Sequence, residues 1–141
     1  MRNFIAIASV IIICLSCNSK ESTLENKIVG QWSIEEFRYC NISYIDSLYI
    51  NFIVFEKNNI VSIPESKFFE KDYQAKWNYS QLHNKDVVKI IPKDTMFNGD
   101  YEITFFKNYK RKLLGIELKS NKTYIKACKF FQNFDTDGKN W

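Results

Sequence analysis

The sequence has few of the residues on which catalytic sites depend, and few that interrupt regular structure. It contains one histidine in 141 residues, which argues against His-based catalysis and multi-histidine metal sites. Only 4 glycines and 2 prolines are present, which excludes a collagen-like, low-complexity or disordered chain and leaves no glycine-rich phosphate loop. The net charge is only +4 and the lysines are scattered, so nucleic acid is not an expected partner.

Apolar and aromatic residues are abundant by contrast. Hydrophobic residues make up 45% of the chain and aromatic residues 16%, with 12 Phe, 8 Tyr and 3 Trp. A chain of this length and composition fills the core of one domain, and its aromatic and isoleucine content favours strands.

The first residues have the pattern of an export signal. Residues 1–3 carry one positive charge, and residues 4–15 form an apolar run of 12 residues. A membrane-spanning helix needs about 20 apolar residues, so this run predicts a signal peptide. It ends at Leu15-Ser16-Cys17, which resembles the lipobox of small bacterial lipoproteins of the Bacteroidetes type, although Cys14 stands where leucine is usual.

The lipobox resemblance implies a domain organisation and a location. The signal peptide covers residues 1–16, and the Cys17 thiol carries a diacylglycerol. Residues 17–26 form the lipidated cysteine and a polar tether, residues 27–131 a barrel domain, and residues 132–141 a polar tail. The lipid anchor holds the protein in the outer membrane of the cell envelope, with the periplasmic and surface sides both open.

Alternation with a period of two residues predicts strands in the body of the chain. It is clearest in residues 73–80, and residues 101–105 alternate after Asn98-Gly99, a dipeptide typical of tight hairpin turns. Residues 48–55 are apolar at nearly every position, which predicts a strand covered on both faces. Only residues 65–71 are candidates for a short helical turn. The other predicted strands are residues 28–39, 60–63, 87–91, 113–118 and 123–131.

Eight strands with short connections and no intervening helices predict an antiparallel sandwich or barrel. The first strand contains Gly30-Gln31-Trp32, and this Gly-x-Trp pattern resembles the start of lipocalin-like domains. The resemblance implies an all-β, up-and-down, eight-stranded barrel with Gly30 and Trp32 closing one end. The alternative is another β-sandwich in which Trp32 is an ordinary core residue.

The polar residues do not form a recognisable reaction centre. His83 lies between two predicted strands, where a solvated turn is expected. Glu35 and Glu36 are adjacent in a strand, so we expect them to face opposite sides. Residues 133–138 match the first half of a calcium loop, but the chain ends before its twelfth position. We therefore predict no enzymatic activity, no catalytic or metal-binding residue and no cofactor.

Two cysteines remain besides Cys14 and Cys17. An exported protein meets an oxidising environment, which permits a disulfide between Cys40 and Cys128. Two separate thiols packed as small hydrophobic side chains are the alternative.

Two functions from different classes fit this chain. In the first, which the lipocalin resemblance implies, the barrel binds a small hydrophobic ligand through inward side chains. Alternation gives the candidates Ala75, Trp77, Tyr79, Ile103 and Phe105. In the second, the barrel is filled and the protein is a non-enzymatic interaction or structural lipoprotein, whose partner the sequence does not name. An open apolar cavity would distinguish the first from the second.

Lipidation of Cys17 has a direct test. Cells expressing the protein should incorporate labelled palmitate into it, and Cys17→Ala should abolish the label because the modified thiol is gone. Cys40→Ala is the matched control and should keep the label. Undiminished labelling of the Cys17→Ala variant would exclude the predicted anchor.

Overall fold

The computed structural model describes residues 24–93 and 96–130, and nine strands contain most of these described residues. The signal peptide, Cys17, the first part of the tether and the tail lie outside the described residues. The strands are β1 Gly30–Tyr39, β2 Ile42–Ser43, β3 Phe52–Phe55, β4 Ile60–Ile63, β5 Asp72–Leu82, β6 Lys85–Ile91, β7 Gly99–Asn108, β8 Leu113–Lys119 and β9 Thr123–Phe130.

Eight of these strands form a closed antiparallel barrel. Each pairs with the next along the order β1, β3, β4, β5, β6, β7, β8, β9, and β9 pairs back with β1. The short strand β2 only extends the hairpin at the end of β1. This confirms the predicted all-β, up-and-down, eight-stranded barrel. The helical elements are a turn over residues 24–28 before β1 and the 3-10 turn Ile45–Ser47.

Two hairpins turn through residues with left-handed backbone conformations. Cys40 and Asn41 have φ of 49° and 65°, and His83 and Asn84 have φ of 50° and 63°. Two consecutive residues of this kind match the strand twist in a two-residue hairpin loop. The structure thus places His83 at the tip of the β5–β6 hairpin, between strands as expected.

The tight turn predicted at Asn98-Gly99 is wrong. Gly99 is already the first residue of β7 and pairs with Ile90, so the connection from the end of β6 at Ile91 is longer than a two-residue turn. This connection carries Phe97, whose side chain is fully buried. The longer connection thus replaces a short hairpin, and it buries the Phe97 ring across the end of the barrel.

The long strand predicted over residues 48–55 is also wrong. Only β3 is a strand, and Leu48 makes a single bridge to Ser66. Ile53 and Phe55 face the interior, but Tyr49, Ile50 and Phe52 are exposed by 62%, 45% and 39%. The apolar run therefore forms half a core strand and half an exposed apolar surface.

Residues 65–71 form a capped turn in place of the expected helical turn. The Ser66 hydroxyl accepts the backbone N–H groups of Phe68 at 2.9 Å and Phe69 at 3.3 Å. Serine offers the backbone this local alternative to a helix. The turn directs Phe69 into the core and leaves Phe68 at the surface.

The pairing registers define two ends of the barrel. Gly30 pairs with Phe55, and Leu113 pairs with both Phe130 and Asn108, so these positions lie at one end. We call it the entry end, because the chain enters β1 there. It includes residues 24–29 and the turns at residues 56–59, 83–84 and 109–112. The far end includes residues 40–51, 64–71, 92–93, 96–98 and 120–122.

Aromatic side chains fill the far end. The rings of Phe37 and Phe97 stack with centroids 4.6 Å apart, and Phe69 meets Phe97 edge-on at 5.3 Å. The Tyr101 hydroxyl donates to the Phe97 carbonyl at 2.9 Å, which holds the connection over the core.

At the entry end the largest buried side chain is Trp32. Its indole N–H donates to the Ile28 carbonyl at 2.7 Å, and the Lys129 ammonium lies 4.3 Å from its ring centroid. Gly30 precedes it with φ of 130°, a conformation that side chains rarely adopt, and so allows the chain to turn into β1.

Trp32→Ala should destabilise the barrel severely. Removing a buried aromatic side chain costs about 3–5 kcal/mol, a large part of the roughly 5–15 kcal/mol that stabilises a typical domain. The measurement is the urea midpoint by circular dichroism, with Tyr73→Ala as control because Tyr73 is exposed. Equal midpoints for Trp32→Ala and the wild type would contradict the closing role.

Candidate functional site

The barrel interior is the first candidate site. Buried side chains from all eight barrel strands meet in one cluster, of which Trp32, Phe37, Phe55, Phe97 and Tyr101 are among the largest. Aromatic rings thus occupy the space between the strands of the described chain.

The five predicted ligand contacts all belong to this packing. Ala75, Trp77 and Ile103 are buried in the cluster, while Tyr79 and Phe105 are partly buried against it. The Trp77 indole N–H donates to the Glu56 carbonyl at 3.0 Å, and the Tyr79 hydroxyl donates to Asp86 at 2.5 Å. These side chains face inward as alternation predicts, and their polar atoms bond within the protein.

Lys129 is an inward lysine that the sequence analysis missed. Its ammonium donates to the carbonyls of Lys27 at 2.7 Å and Val29 at 3.0 Å, besides lying over Trp32. Burial lowers the pKa of Lys129 to about 8, so the charged form still predominates at pH 7. Its position was readable from β9, because Lys129 follows the inward residues Ile125 and Ala127 at the same period of two.

A surface with apolar side chains lies on the outside of the barrel around Phe52. Two grooves of about 250 Å³ and 380 Å³ share the side chains of Phe52 and Gln31, and we call them together the Phe52 surface. The first is lined by Gln31, Ile50, Phe52, Val54, Ser62, Pro64, Lys71 and Tyr73. The second is lined by Gln31, Ser33, Glu35, Phe52, Leu113, Cys128 and Lys129.

Two further cavities have different linings. One of about 510 Å³ crosses the outward faces of β6 and β7, where Lys85 pairs with Glu102 at 2.7 Å. The other, of about 240 Å³, lies at the entry end between residues 25–29, the β3–β4 turn and Trp77. Polar and charged residues make up most of both linings, whereas five of the eight residues that line the first groove of the Phe52 surface are apolar or aromatic.

The titratable groups are dispersed. His83 is exposed at its hairpin tip, and the described residues contain no group of three or more His, Cys, Asp or Glu side chains that could hold a metal ion. The expectation that Glu35 and Glu36 face opposite sides is wrong. A bulge places both on the outside between the inward residues Ile34 and Phe37, and Glu36 pairs with Arg38.

The structure does not join Cys40 to Cys128. Cys40 is exposed in the far-end turn, where its N–H donates to the Lys122 carbonyl, whereas Cys128 pairs with Ser33. Six residues of β9 separate these positions, about 20 Å at strand spacing, whereas a disulfide needs Cα atoms within about 7 Å. Both thiols are free; Cys128 is buried as in the alternative arrangement, whereas Cys40 is exposed.

No protein-family model, curated protein or solved structure matches this chain. Among the described residues, no helix combines the length and apolar character needed to cross a membrane. Inference about function therefore depends on the geometry of the barrel and its surfaces.

The two thiols should differ in reactivity. Burial and the nearby Glu35 carboxylate raise the pKa of Cys128 to about 11, so very little thiolate is present near neutral pH. In the chain from residue 18 to 141, which contains these two cysteines alone, a maleimide should label exposed Cys40 at least about tenfold faster than Cys128. Cys40→Ser and Cys128→Ser assign the signals, and equal rates are expected only in denaturant. Equal rates in the folded protein would contradict the burial of Cys128.

Proposed function

We propose that the protein is an outer-membrane lipoprotein anchored through Cys17, whose filled barrel binds a partner protein through the Phe52 surface. The observation that supports this function is the contrast between the interior of the barrel and one part of its outer face. Aromatic rings occupy the interior, whereas apolar side chains are exposed on one part of the outer face. An exposed apolar patch rimmed by polar residues is typical of a protein interaction site.

Closure of the barrel decides how a partner would bind. The eight barrel strands are paired on both sides, so no long strand edge is available for a peptide to extend the sheet. Recognition must come from outward side chains. Phe52 lies between the two grooves and Tyr73 borders one of them, and aromatic side chains of this kind supply much of the binding energy at protein interfaces.

The polar and charged residues around the Phe52 surface indicate how a partner would be oriented on it. Gln31 and Ser33 of β1 lie beside Phe52, and Glu35 follows on the same outward face. Lys71 lies at the opposite margin, with its ammonium 4.4 Å from the Tyr73 ring centroid. The complementary partner is therefore a protein with an apolar patch, a positive group facing Glu35 and a negative group facing Lys71.

Binding of a small apolar ligand is the second candidate, with a narrower basis. The cavity beside Trp77 at the entry end has about 240 Å³, below the roughly 300 Å³ at which ligand pockets usually begin. Trp77→Ala would enlarge it, and a ligand that co-purifies with the wild type and is lost from this variant would favour this function. Neither proposed function requires a catalytic group.

Site-specific photocrosslinking tests the main proposal. Benzoylphenylalanine at position 52 should give a discrete crosslinked product in intact cells of the source. The same residue at position 104, an exposed site of β7 on the other side of the barrel, should not. Ile50→Asp and Tyr73→Asp should weaken the product at position 52, because each places a charge on the apolar patch.

Two outcomes of the same experiment would contradict binding of a partner at the Phe52 surface. Crosslinks of equal yield at positions 52 and 104 would indicate unspecific contact. No product at position 52, with normal expression and folding, would exclude the Phe52 surface as the binding site.

A further inference from the structure

The two ends of the barrel differ in charge. We define the entry rim as residues 24–29, 56–59, 83–84 and 107–112. It carries six basic side chains against two acidic ones, a net of four positive charges. The described far-end residues carry four basic against three acidic side chains. The basic residues of the entry rim are Lys27, Lys57, Lys107, Lys110, Arg111 and Lys112, and its acidic residues are Glu25 and Glu56.

The β7–β8 turn contains three of the six basic residues of the entry rim. Lys110, Arg111 and Lys112 are consecutive and exposed, and Tyr109 before them is exposed by 67%. The turn has a defined shape, because the Asn108 side chain accepts the Arg111 N–H at 3.1 Å and the Lys112 N–H donates to the Tyr109 carbonyl. Three cations therefore project from a fixed turn next to one exposed aromatic ring.

Apolar and aromatic side chains accompany the cations at this end. Leu82, beside the β5–β6 turn, is exposed by 52%. The Lys107 ammonium lies 5.8 Å from the Tyr109 ring centroid. Exposed tyrosine and leucine among lysines and arginines is a composition typical of surfaces that lie at a lipid interface.

The point at which the chain enters the barrel indicates that the entry rim lies near the membrane. If Cys17 is the lipid anchor, residues 18–23 separate it from the described chain at residue 24, and six residues reach at most about 21 Å. The chain enters β1 within the rim itself. The anchor thus restricts the barrel to the neighbourhood of the membrane and favours this end as the one that meets lipid.

We infer that the entry rim is a docking surface for anionic lipid headgroups, with Lys110, Arg111 and Lys112 contacting lipid phosphates and Tyr109 lying among the headgroups. This inference rests on the proposed lipoprotein anchor. Docking fixes the barrel upright on the membrane. The Phe52 surface then lies on the side of the barrel and stays accessible to a partner.

The test uses the chain from residue 18 to 141, which lacks Cys17 but contains the complete barrel and its core. Binding is measured by cosedimentation with vesicles of phosphatidylcholine alone, and with vesicles containing about one-third phosphatidylglycerol. We expect binding to the anionic vesicles only, and its loss in high salt, because salt screens headgroup attraction.

Two triple variants with equal changes of net charge separate a local site from general attraction. The rim variant combines Lys110→Gln, Arg111→Gln and Lys112→Asn, with asparagine chosen because Lys112 has φ of 52°. The control combines Lys67→Gln, Lys93→Gln and Lys122→Gln, three exposed lysines at the far end outside the Phe52 surface. Each basic residue near an anionic surface contributes about fivefold to partitioning, so the rim variant should bind roughly a hundredfold more weakly. The control should change less than about twofold. Thermal melting checks that both variants are folded.

Equal weakening by the two triple variants would overturn the inference, since only net charge would then matter. Equal binding of the wild type to neutral and anionic vesicles would also overturn it. Because Cys17 is absent throughout, these results are independent of lipidation. Absence of the palmitate label from the wild type, or undiminished label in Cys17→Ala, would refute the anchor, whereas failure of the wild-type chain 18–141 to bind anionic vesicles would refute the docking surface alone.

Discussion

The pairing of β1 with β9 is the constraint on which the rest of this structure depends. Without it the eight strands would form an open sheet with two long edges. Six residue pairs join the two strands, and Lys129 adds a further link from β9 to the carbonyls before β1. The same lysine covers Trp32, which blocks the end of the core. Lys129 thus links three features: the closing pairing of β1 with β9, the Trp32 ring that blocks the end of the core, and the entry of the chain into β1.

Closure also supports the proposal that a partner binds the outside of the barrel. In eight strands the interior is just wide enough to be filled by side chains. Large buried rings lie inside this barrel, among them the stacked pair Phe37 and Phe97. Phe52 and Tyr73 lie outside this core and line the same groove on the outer face of the barrel.

Local pattern in the sequence predicted an antiparallel sandwich or barrel, and the choice of an eight-stranded barrel came from the resemblance of Gly30-Gln31-Trp32 to lipocalin-like domains. Period-two alternation gave the barrel strands and the inward direction of Trp77 and Ile103, because side-chain direction depends only on the pleat. The same reasoning failed where tertiary packing decided the outcome. Asn98-Gly99 has the composition of a hairpin turn, but burial of Phe97 requires a longer connection.

The candidate surface was harder to predict than the fold. Residues 48–55 looked like one buried strand, since composition does not show which part of an apolar run is covered. A bulge at residues 34–36 also broke the alternation and brought Glu35 and Glu36 to the same side. The grooves around Phe52 combine side chains from strands far apart in sequence, and no local pattern records that arrangement.

Entry of the chain alongside Lys129 has a mechanical consequence. A pull transmitted through residues 24–29 runs along the axis of β1, with β9 on one side and β3 on the other. The hydrogen bonds of β1 to both neighbouring strands are then loaded together in shear. When a strand is instead peeled away from one end, its hydrogen bonds break one after another. A barrel pulled through residues 24–29 thus resists tension along two strand pairings at once.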